Sequence, residues 1–271
     1  MSSAMPRYAV FGNPVAHSRS PQIHVAFAAQ REQSLSYERI EAPLDDFAGS
    51  VAAFFDAQGC GANVTVPFKE QAFALCSSVT DRARQAGAVN TLWQEGGKLH
   101  GDNTDGAGLV TDMLHNLGWP LADRRVLVLG AGGAVRGVIG ALQSMAPAAI
   151  TVANRTVSRA QTLAEIFEKT GAINACGFAD LAGRFDLVIN ATSASLAGDM
   201  PPLPPGLVDA GSQCYDMMYG DEPTPFLRWA SAQGAATADG LGMLVEQAAE
   251  AFMIWHGWRP VTAELIASLR N

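Results

Sequence analysis

The chain has 271 residues, 48% of them hydrophobic and 16% charged, and its formal net charge is −8. This composition indicates a folded globular protein with one large domain or two ordinary ones. The acidic balance, without any basic block, argues against a nucleic-acid-binding surface but allows a small anionic substrate. No run of about 18 apolar residues occurs and no basic-then-apolar leader begins the sequence, so we expect a chain that neither spans nor crosses a membrane.

The cysteines and histidines show no pattern typical of disulfides or metal sites. The four cysteines are widely spaced and include no CxxC pair, which favours reduced thiols in the cytoplasm. The five histidines include no HxxxH or similar ligand spacing. We therefore expect no metal.

The first hundred residues alternate strand-like and helix-like segments. Strands are expected at residues 7–11, 35–41 and 62–66, and as two short strands around the Gly96–Gly97 turn. Helices are expected after Ser20, which would be the N-cap with Pro21 at the first helical position, at residues 44–58, and from Pro67. This alternation predicts an α/β fold with a largely parallel sheet.

A second α/β pattern begins at Gly106. A helix through residue 117 precedes the strand-like segments "VLVLG", "AITVANR", "DLVINATS" and "QCYDMMY", with a helix at residues 156–168. The unbroken apolar runs in "VLVLG" and "LVIN" are typical of strands buried on both faces. The final segment, from Leu241, has a strongly apolar helical pattern.

The segment "VLVLGAGGAV" predicts a dinucleotide-binding loop. Gly130 and Gly132 follow a buried strand and precede a helix, where backbone amides at the helix N-terminus face a pyrophosphate. The third glycine of the usual G-x-G-x-x-G fingerprint is replaced by Val135, and Gly133 and Ala134 are the other small residues. A tight strand–helix turn without a ligand is the alternative, but the context favours the dinucleotide.

The end of the next strand predicts the choice of cofactor. NAD enzymes carry an acidic residue here, which holds the ribose hydroxyls. This chain has Asn154, Arg155, Thr156 and Arg159 instead. Two guanidiniums and a hydroxyl would bind a 2′-phosphate that a carboxylate would repel, so NADP is expected rather than NAD. The alternative interpretation is a solvated helix start, with Thr156 as its N-cap.

Lys69, in "GANVTVPFKEQ", stands in an unfavourable position. It falls in the first turn of the expected helix, where the helix dipole disfavours a cation by ~0.3–1 kcal/mol. This unfavourable position indicates that the lysine serves a function, at some cost to the stability of the helix. A lysine coupled to a nearby aspartate can pass a proton to or from an alcohol oxygen.

Other polar candidates surround this segment in the sequence. They are the pair Ser18 and Ser20, the pair Asn63 and Thr65, and the later residues Asn90 and Asp105. The two serines would form a neutral clamp for a carboxylate, and the Asn63–Thr65 spacing places both side chains on one face of a strand. Taken singly, each is better explained by helix caps and turns, and Asp105 would then cap the helix that begins at Gly106.

Taken together, the motifs resemble the shikimate dehydrogenase family, NADP-dependent enzymes of aromatic amino-acid biosynthesis. The resemblance covers nearly the whole chain and depends on "GNPVAHSRSPQIHVAF", "GANVTVPFKE", "AGAVNTL", "GDNTDG", "GAGGAVRG", "NRT" and "DGLGMLVEQAAEAF". It implies reversible, NADPH-dependent reduction of the C3 ketone of 3-dehydroshikimate to shikimate. It also implies an N-terminal α/β substrate domain and a doubly wound Rossmann NADP-binding domain. Their expected bounds are residues 1–104 with returning helices at 242–271, and residues 105–241.

The resemblance also implies roles for individual residues. Lys69 and Asp105 would be the catalytic pair, and Ser18, Ser20 and Tyr219 would hold the substrate carboxylate. The ring hydroxyls would be bound by Asn63, Thr65, Asn90 and Gln247. The cofactor would contact Gly130, Ala131, Gly132, Gly133, Ala134, Asn154, Arg155, Thr156, Val157, Ser158, Arg159, Met217 and Gly240, with Asp81 as a nearby candidate.

Two alternatives remain open at this point. One is the quinate/shikimate dehydrogenase branch, with relaxed substrate or cofactor choice, although Arg155 favours NADP. The other is a non-catalytic dinucleotide-sensing protein on the same fold, which loss of Lys69 or Asp105 would have favoured. We expect a small-molecule enzyme without nucleic-acid or membrane partners, either a monomer or a homodimer.

Overall fold

The computed structural model describes residues 5–192, 194 and 199–270, which divide into two compact units. Unit 1 contains residues 5–108 and 245–269, and unit 2 contains Leu109–Leu244 and Arg270. None of the helices within the described residues is long and apolar enough to cross a membrane. The functional labels that the sequence suggests for the two parts of the chain stay predictions.

Unit 1 contains a six-stranded mixed sheet in the order β2-β1-β3-β5-β6-β4. Its strands are β1 (Arg7–Gly12), β2 (Ser36–Glu41), β3 (Gly59–Val64), β4 (Ser78–Val79), β5 (Thr91–Glu95) and β6 (Lys98–Asp102). Strands β1, β2 and β3 are parallel, whereas β5 runs antiparallel to both β3 and β6. The hairpin β5–β6 is the pair of strands expected around the Gly96–Gly97 turn.

The helices of unit 1 begin close to the expected positions. They are α1 (Ser20–Ala29), α2 (Phe47–Asp56), α3 (Lys69–Leu75) and α4 (Asp81–Ala86). The expected N-cap at Ser20 is wrong: Arg19 occupies that position without a side-chain cap, and Ser20 is the first helical residue. The helix expected from Pro67 begins at Lys69, with Phe68 as its N-cap. Phe68 anchors this entry by stacking on Phe47 of α2, with ring centroids 4.6 Å apart.

Unit 2 contains a six-stranded sheet, all of it parallel, in the order β12-β11-β10-β7-β8-β9. The strands are β7 (Arg125–Leu129), β8 (Ala149–Ala153), β9 (Ile173–Cys176), β10 (Leu187–Asn190), β11 (Gln213–Asp216) and β12 (Ala236–Asp239). The first strand of the unit, β7, lies in the middle of the sheet, and the chain order reverses between β7 and β10. This is the doubly wound order of dinucleotide-binding folds, in which ligands bind at the reversal point. The expected fold class is confirmed.

Three helices cover this sheet, and three more helices contain residues of both units. The covering helices are α6 (Gly133–Ser144), α7 (Val157–Phe167) and α8 (Pro225–Ala232). Helix α5 (Asp105–Thr111) continues as a π-helical segment, Asp112–Asn116, and α9 (Leu241–His256) precedes α10 (Ala263–Arg270). Val135 of α6 is fully buried in the apolar core of unit 2, which explains a valine at the third position of the glycine fingerprint.

Candidate active site

Lys69 and Asp105 form an ion pair in unit 1. Lys69 Nζ lies 2.6 Å from Asp105 Oδ2, and the two side chains are 26% and 10% exposed. Lys69 is the first residue of α3, and Asp105 is the first residue of α5. The Asp105 carboxylate binds Lys69 and Asn90, so the alternative that it serves as a helix cap is not what the structure shows. The Lys69 side chain is therefore partly exposed to solvent, whereas the Asp105 side chain is nearly buried.

Asn90 holds the other oxygen of Asp105 and connects the polar groups around it. Its Nδ2 lies 2.8 Å from Asp105 Oδ1, 3.0 Å from Thr104 Oγ1 and 3.4 Å from Gln247 Oε1. Its Oδ1 accepts hydrogen bonds from the backbone amide of Thr104 at 2.9 Å and from the hydroxyl of Thr91 at 2.9 Å. The structure therefore brings together four of the predicted residues: Lys69, Asp105, Asn90 and Gln247.

Gln247 reaches this cluster because a glycine faces it. A Cβ at Gly108 would lie 2.7 Å from both the backbone nitrogen and the Cβ of Gln247. Any larger residue at position 108 would push the start of α5 away from this turn of α9. The small residue therefore fixes how close Gln247 comes to Asn90.

Asp102, at the end of β6, fixes the loop that carries Asp105. Its buried carboxylate accepts two hydrogen bonds from Arg82, at 2.8 and 2.5 Å, and one from the backbone amide of Asn103 at 2.7 Å. The Asn103 side-chain oxygen in turn accepts the backbone amide of Asp105 at 3.2 Å. Arg82 also pairs with Glu250 of α9, at 3.0 Å. Sequence analysis missed this support because Arg82 and Asp102 are twenty positions apart.

Ser18 and Ser20 lie side by side, as a clamp would require. Their hydroxyl oxygens are 3.1 Å apart, and the backbone amide of Ser20 donates to Ser18 Oγ at 3.3 Å. Arg39 of β2, which sequence analysis missed, donates from Nε and Nη2 to the Ser18 carbonyl, at 2.8 and 2.6 Å. The positively charged guanidinium of Arg39 therefore lies next to the two serines, which the sequence suggested would form a neutral clamp.

Asn63 and Thr65 are two positions apart in the chain but do not belong to the same strand. Asn63 belongs to β3, which ends at Val64, so the expectation that Thr65 is part of the strand is wrong. The backbone amide of Thr65 still donates to the Phe11 carbonyl at 2.8 Å, which keeps the extended direction of the strand. Asn63 is buried, and its amide group donates to the Asn90 carbonyl and the Thr91 hydroxyl, at 3.1 and 3.2 Å.

A fully buried histidine lies behind Asn63. The ring of His24 stacks on that of Tyr37, with centroids 4.5 Å apart and an interplanar angle of 15°. Neither ring nitrogen of His24 has a hydrogen-bond partner among the described residues. Burial lowers the pKa of His24 to about 3, so this imidazole is neutral at physiological pH. Within the described residues no group of three or more histidine, cysteine, aspartate or glutamate side chains could hold a metal ion, and the absence of a metal stays a prediction.

The glycine loop of unit 2 has the geometry of a phosphate-binding turn. Gly130 directly follows β7 and has a φ of +108°, which strains any residue with a Cβ. A Cβ built at Gly132 or Gly133 would have none of the described residues within 4 Å. The protein's own packing therefore does not require glycine at these two positions. Their missing side chains keep open the space in front of the N-terminus of α6, where a pyrophosphate would lie.

The segment after β8 presents exposed cations near this turn. The Gly130 amide donates to the Ala153 carbonyl at 2.8 Å, which ties the glycine loop to the end of β8. Arg155 and Arg159 are exposed, and within the described part of the chain neither guanidinium has a hydrogen-bonding or ionic partner. Thr156 occupies the N-cap position of α7, but its hydroxyl makes no capping bond. These groups fit a 2′-phosphate.

The structure brings Met217 and Gly240 together and gives different surroundings to Tyr219 and Asp81. A Cβ at Gly240 would lie 2.3 Å from the Met217 carbonyl oxygen, so only glycine allows this approach. Tyr219 belongs to unit 2 and is 37% exposed. Asp81 belongs to unit 1, where it is ion-paired with Arg84 at the start of α4. The roles of all four residues stay predictions.

The remaining predicted cofactor residues lie in the two segments already described. Ala131 and Ala134 belong to the glycine loop and the first turn of α6. Val157 and Ser158 open α7, and Asn154 donates from Nδ2 to the Thr156 carbonyl at 2.9 Å. Asn154 thereby shapes the turn that presents Arg155.

Three protein-family models match the chain. Residues 10–92 match the shikimate dehydrogenase substrate binding domain, and residues 113–197 match shikimate / quinate 5-dehydrogenase. Residues 240–267 match the shikimate 5'-dehydrogenase C-terminal domain. The three matches together cover most of the chain and follow one another in the order expected for a single family.

Individual proteins are similar over nearly their whole length. The shikimate dehydrogenase (NADP(+)) of Alcanivorax borkumensis is 64% identical over 266 residues, which are 97% of this chain and 96% of that protein. The shikimate 5-dehydrogenase of Thermus thermophilus, solved with NADP(H) and shikimate, is 37% identical with a TM-score of 0.86 and coverages of 98% and 99%. The ligand-free 5-ketofructose reductase of Gluconobacter sp. strain CHM43 is 29% identical, with a TM-score of 0.87 and coverages of 100% and 99%. The family resemblance seen in the motifs is confirmed, and the chain belongs to the shikimate dehydrogenase family.

Proposed function

We propose that this chain is an NADP-dependent shikimate dehydrogenase, which reduces 3-dehydroshikimate to shikimate and catalyses the reverse oxidation. The observation that carries the proposal is the Lys69–Asp105 ion pair, with Nζ and Oδ2 2.6 Å apart, surrounded by amide and hydroxyl side chains. The relative from Alcanivorax borkumensis, which carries this activity in its name, is 64% identical to the chain. A non-catalytic protein on this fold would have no reason to keep the pair.

The residues of unit 2 fit NADP. The amides after Gly130 and the open space at Gly132 and Gly133 would receive the pyrophosphate. Arg155 and Arg159 would hold the 2′-phosphate by charge-assisted hydrogen bonds. Met217 and Gly240 would line the far end of the same site. When bound, NADPH supplies the hydride that the reduction requires.

In unit 1, the polar side chains would orient the substrate. A carboxylate only accepts hydrogen bonds, so the hydroxyls of Ser18 and Ser20 would both turn to donate to it. The contact of Tyr219, a residue of unit 2, with this carboxylate stays a prediction from the family resemblance. The ring hydroxyls would be bound by Asn63, Thr65, Asn90 and Gln247. These contacts are remote from the reacting carbon, and their task is to hold it in one position.

Lys69 would act at the oxygen on C3. As hydride reaches the carbon, negative charge develops on this oxygen, and the Lys69 ammonium would donate to it and stabilise it. The Asp105 carboxylate binds Nζ of Lys69 and is itself fixed by the side chain of Asn90. In the oxidation direction the proton would pass from the alcohol to Lys69. The lysine therefore stands at the N-terminus of a helix because the reaction needs it there.

We also propose a cytoplasmic location, because all four cysteines are free thiols, as a reducing compartment would keep them. A monomer or a homodimer would serve equally well, since every residue proposed for the chemistry comes from one chain.

The assay for this function measures the absorbance of reduced nicotinamide. Shikimate and quinate would each be tested with NADP and with NAD. Turnover of shikimate with NADP, well above the other three combinations, is the expected result. Comparable turnover of quinate would instead support the relaxed quinate/shikimate branch, and no turnover with any combination would contradict an enzymatic role.

A further inference from the structure

Tyr37 connects two of the proposed substrate-binding groups. This tyrosine of β2 is 9% exposed. Its hydroxyl donates to Asn63 Oδ1 at 2.7 Å. Burial raises the pKa of the Tyr37 phenol, and its interaction with the Ser20 side chain opposes that rise. One phenol oxygen therefore lies between the serine clamp and the amide proposed to bind a ring hydroxyl.

The sheet register explains how Tyr37 reaches Asn63. Strand β1 lies between β2 and β3, and it pairs Tyr8 with Tyr37 and Val10 with Asn63. Because successive side chains alternate between faces, Tyr37 and Asn63 lie on one face, two positions apart in register. Tyr37 therefore reaches the Asn63 amide with its hydroxyl, diagonally across β1. The neutral ring of His24, stacked on its other side, holds it in this direction.

The hydrogen bonds that Asn63 already makes leave its side chain able to accept a hydrogen bond from a ligand but not to donate one. Both amide protons on Nδ2 are donated, one to the Asn90 carbonyl and one to the Thr91 hydroxyl. Oδ1 accepts one hydrogen bond, from Tyr37. A carbonyl oxygen has two lone pairs, so the second lone pair of Oδ1 is available and no N–H is. Asn63 in this orientation would accept a hydrogen bond and not donate one.

We propose that Tyr37 is a positioning residue that fixes the Asn63 side chain as a hydrogen-bond acceptor and thereby selects a substrate with a hydroxyl donor at that point. The proposal rests on the proposed function, since it takes the ring hydroxyls of shikimate as the donors. Without the phenol, Oδ1 loses its hydrogen-bond donor, and only the two bonds from Nδ2 hold the amide in this orientation.

The first test compares Tyr37→Phe with Tyr8→Phe. Tyr8 is buried in the neighbouring strand, packs on Trp255, and has no part in the proposed site, so it controls for removing a core phenol. Steady-state oxidation would be measured with shikimate and with its 4-deoxy and 5-deoxy analogues. Tyr37→Phe should raise KM for shikimate by ~3- to 10-fold, the effect of one net hydrogen bond, with little change in kcat.

The analogues separate positioning from general damage. The effect of Tyr37→Phe on KM should vanish for the one deoxy analogue that lacks the hydroxyl bound by Asn63, and persist for the other. The proposal would be overturned if Tyr37→Phe raised KM by the same factor for all three substrates, or if its KM for shikimate equalled that of Tyr8→Phe. If the wild-type chain did not oxidise shikimate at all, the proposed function itself would fail, which is a distinguishable result.

A double-mutant cycle provides an independent test. Because Tyr37 is proposed to act through Asn63, Tyr37→Phe should add little to KM in an Asn63→Ala background. Multiplicative losses in the double variant would contradict action through Asn63. Thermal unfolding of each variant would be followed in parallel, and a fall in Tm with unchanged KM would assign Tyr37 to stability alone.

Discussion

Lys69 and Asp105 are each the first residue of a helix, and their side chains meet with Nζ and Oδ2 2.6 Å apart. A helix N-terminus stabilises an anion and destabilises a cation by ~0.3–1 kcal/mol. Asp105 therefore suits its position, whereas Lys69 does not. The carboxylate compensates the misplaced charge of the lysine, so the two residues act as one electrostatic unit.

Replacing the lysine should remove most of the activity. We expect Lys69→Ala to lower kcat by ~10²–10⁴, the range for a positioned acid–base group, with a smaller change in KM. The matched control is Lys98→Ala, since Lys98 is an exposed lysine on β6 of the same unit. This variant should have the kcat of the wild type. Near-wild-type kcat in Lys69→Ala would contradict the mechanism.

Removing only the charge of Asp105 tests its catalytic role. Asp105→Asn keeps the shape of the side chain but removes its charge, and its single oxygen can accept from only one of the two donors, Lys69 or Asn90. We expect kcat to fall steeply while Tm barely moves, because Lys69 is partly solvated. The double variant with Lys69→Ala should be little worse than the poorer single variant, since groups acting together are non-additive. Strictly multiplicative losses would show that the two residues act independently.

Cofactor choice should depend on Arg155. Replacing it with aspartate should weaken NADP binding by about 1.5–3 kcal/mol, the usual contribution of a charge-assisted hydrogen bond. NAD lacks the 2′-phosphate, so its affinity should change little and serves as the internal control. Titration of both cofactors checks this. Equal loss for both would mean that Arg155 acts on the fold of the loop and not on the phosphate.

The serine pair should affect substrate affinity more than chemistry. We expect Ser18→Ala and Ser20→Ala to raise KM for shikimate more than they lower kcat, because the carboxylate is bound alike in the ground and transition states. Ser50→Ala is a suitable control, because within the described residues the Ser50 hydroxyl bonds only the Asp46 carbonyl, at 3.1 Å. Lower Tm with an unchanged KM would assign the two serines to stability.

Arg39 should contribute long-range attraction for the carboxylate. We expect Arg39→Gln to raise KM for shikimate by about two- to five-fold at low ionic strength, and the difference should shrink as salt screens the charge. The methyl ester of shikimate, which is neutral, should show no such difference. Arg7→Gln removes another half-exposed arginine, one paired with Glu38 at 2.8 Å, and provides the control. An effect of Arg39→Gln that is independent of salt would point to loop structure instead.

The sequence was most informative where chemistry conflicts with local preference. A lysine in a first helical turn and glycines between a buried strand and a helix both indicate a site without any knowledge of the fold. The alternation of strand-like and helix-like segments also predicts the α/β class of unit 2. These features depend on neighbours in sequence, which periodicity and helix signals describe.

The residues that the sequence did not reveal act over long distances. Tyr37 reaches Asn63 across an intervening strand, and Arg39 reaches the Ser18 carbonyl from another element. No local pattern distinguishes these two from other residues of an ordinary strand. The wrong N-cap at Ser20 has the same origin, because its hydroxyl is hydrogen-bonded to that of Ser18 and not to the helix. The π-helical segment after Thr111 likewise has no signal in its own sequence.

The hydrogen bonds around Asn90 have a consequence for how a ligand is accepted. Nδ2 has two protons but faces three acceptors, of which Gln247 Oε1 is the most distant at 3.4 Å. The single proton of the Thr104 hydroxyl is likewise shared between Asn90 Oδ1 and Gln247 Oε1, at 3.2 and 3.4 Å. Three acceptors therefore compete for the two protons of Asn90 Nδ2. A ring hydroxyl that entered beside Gln247 and donated to its Oε1 would relieve this competition, which would favour a polyol as the ligand.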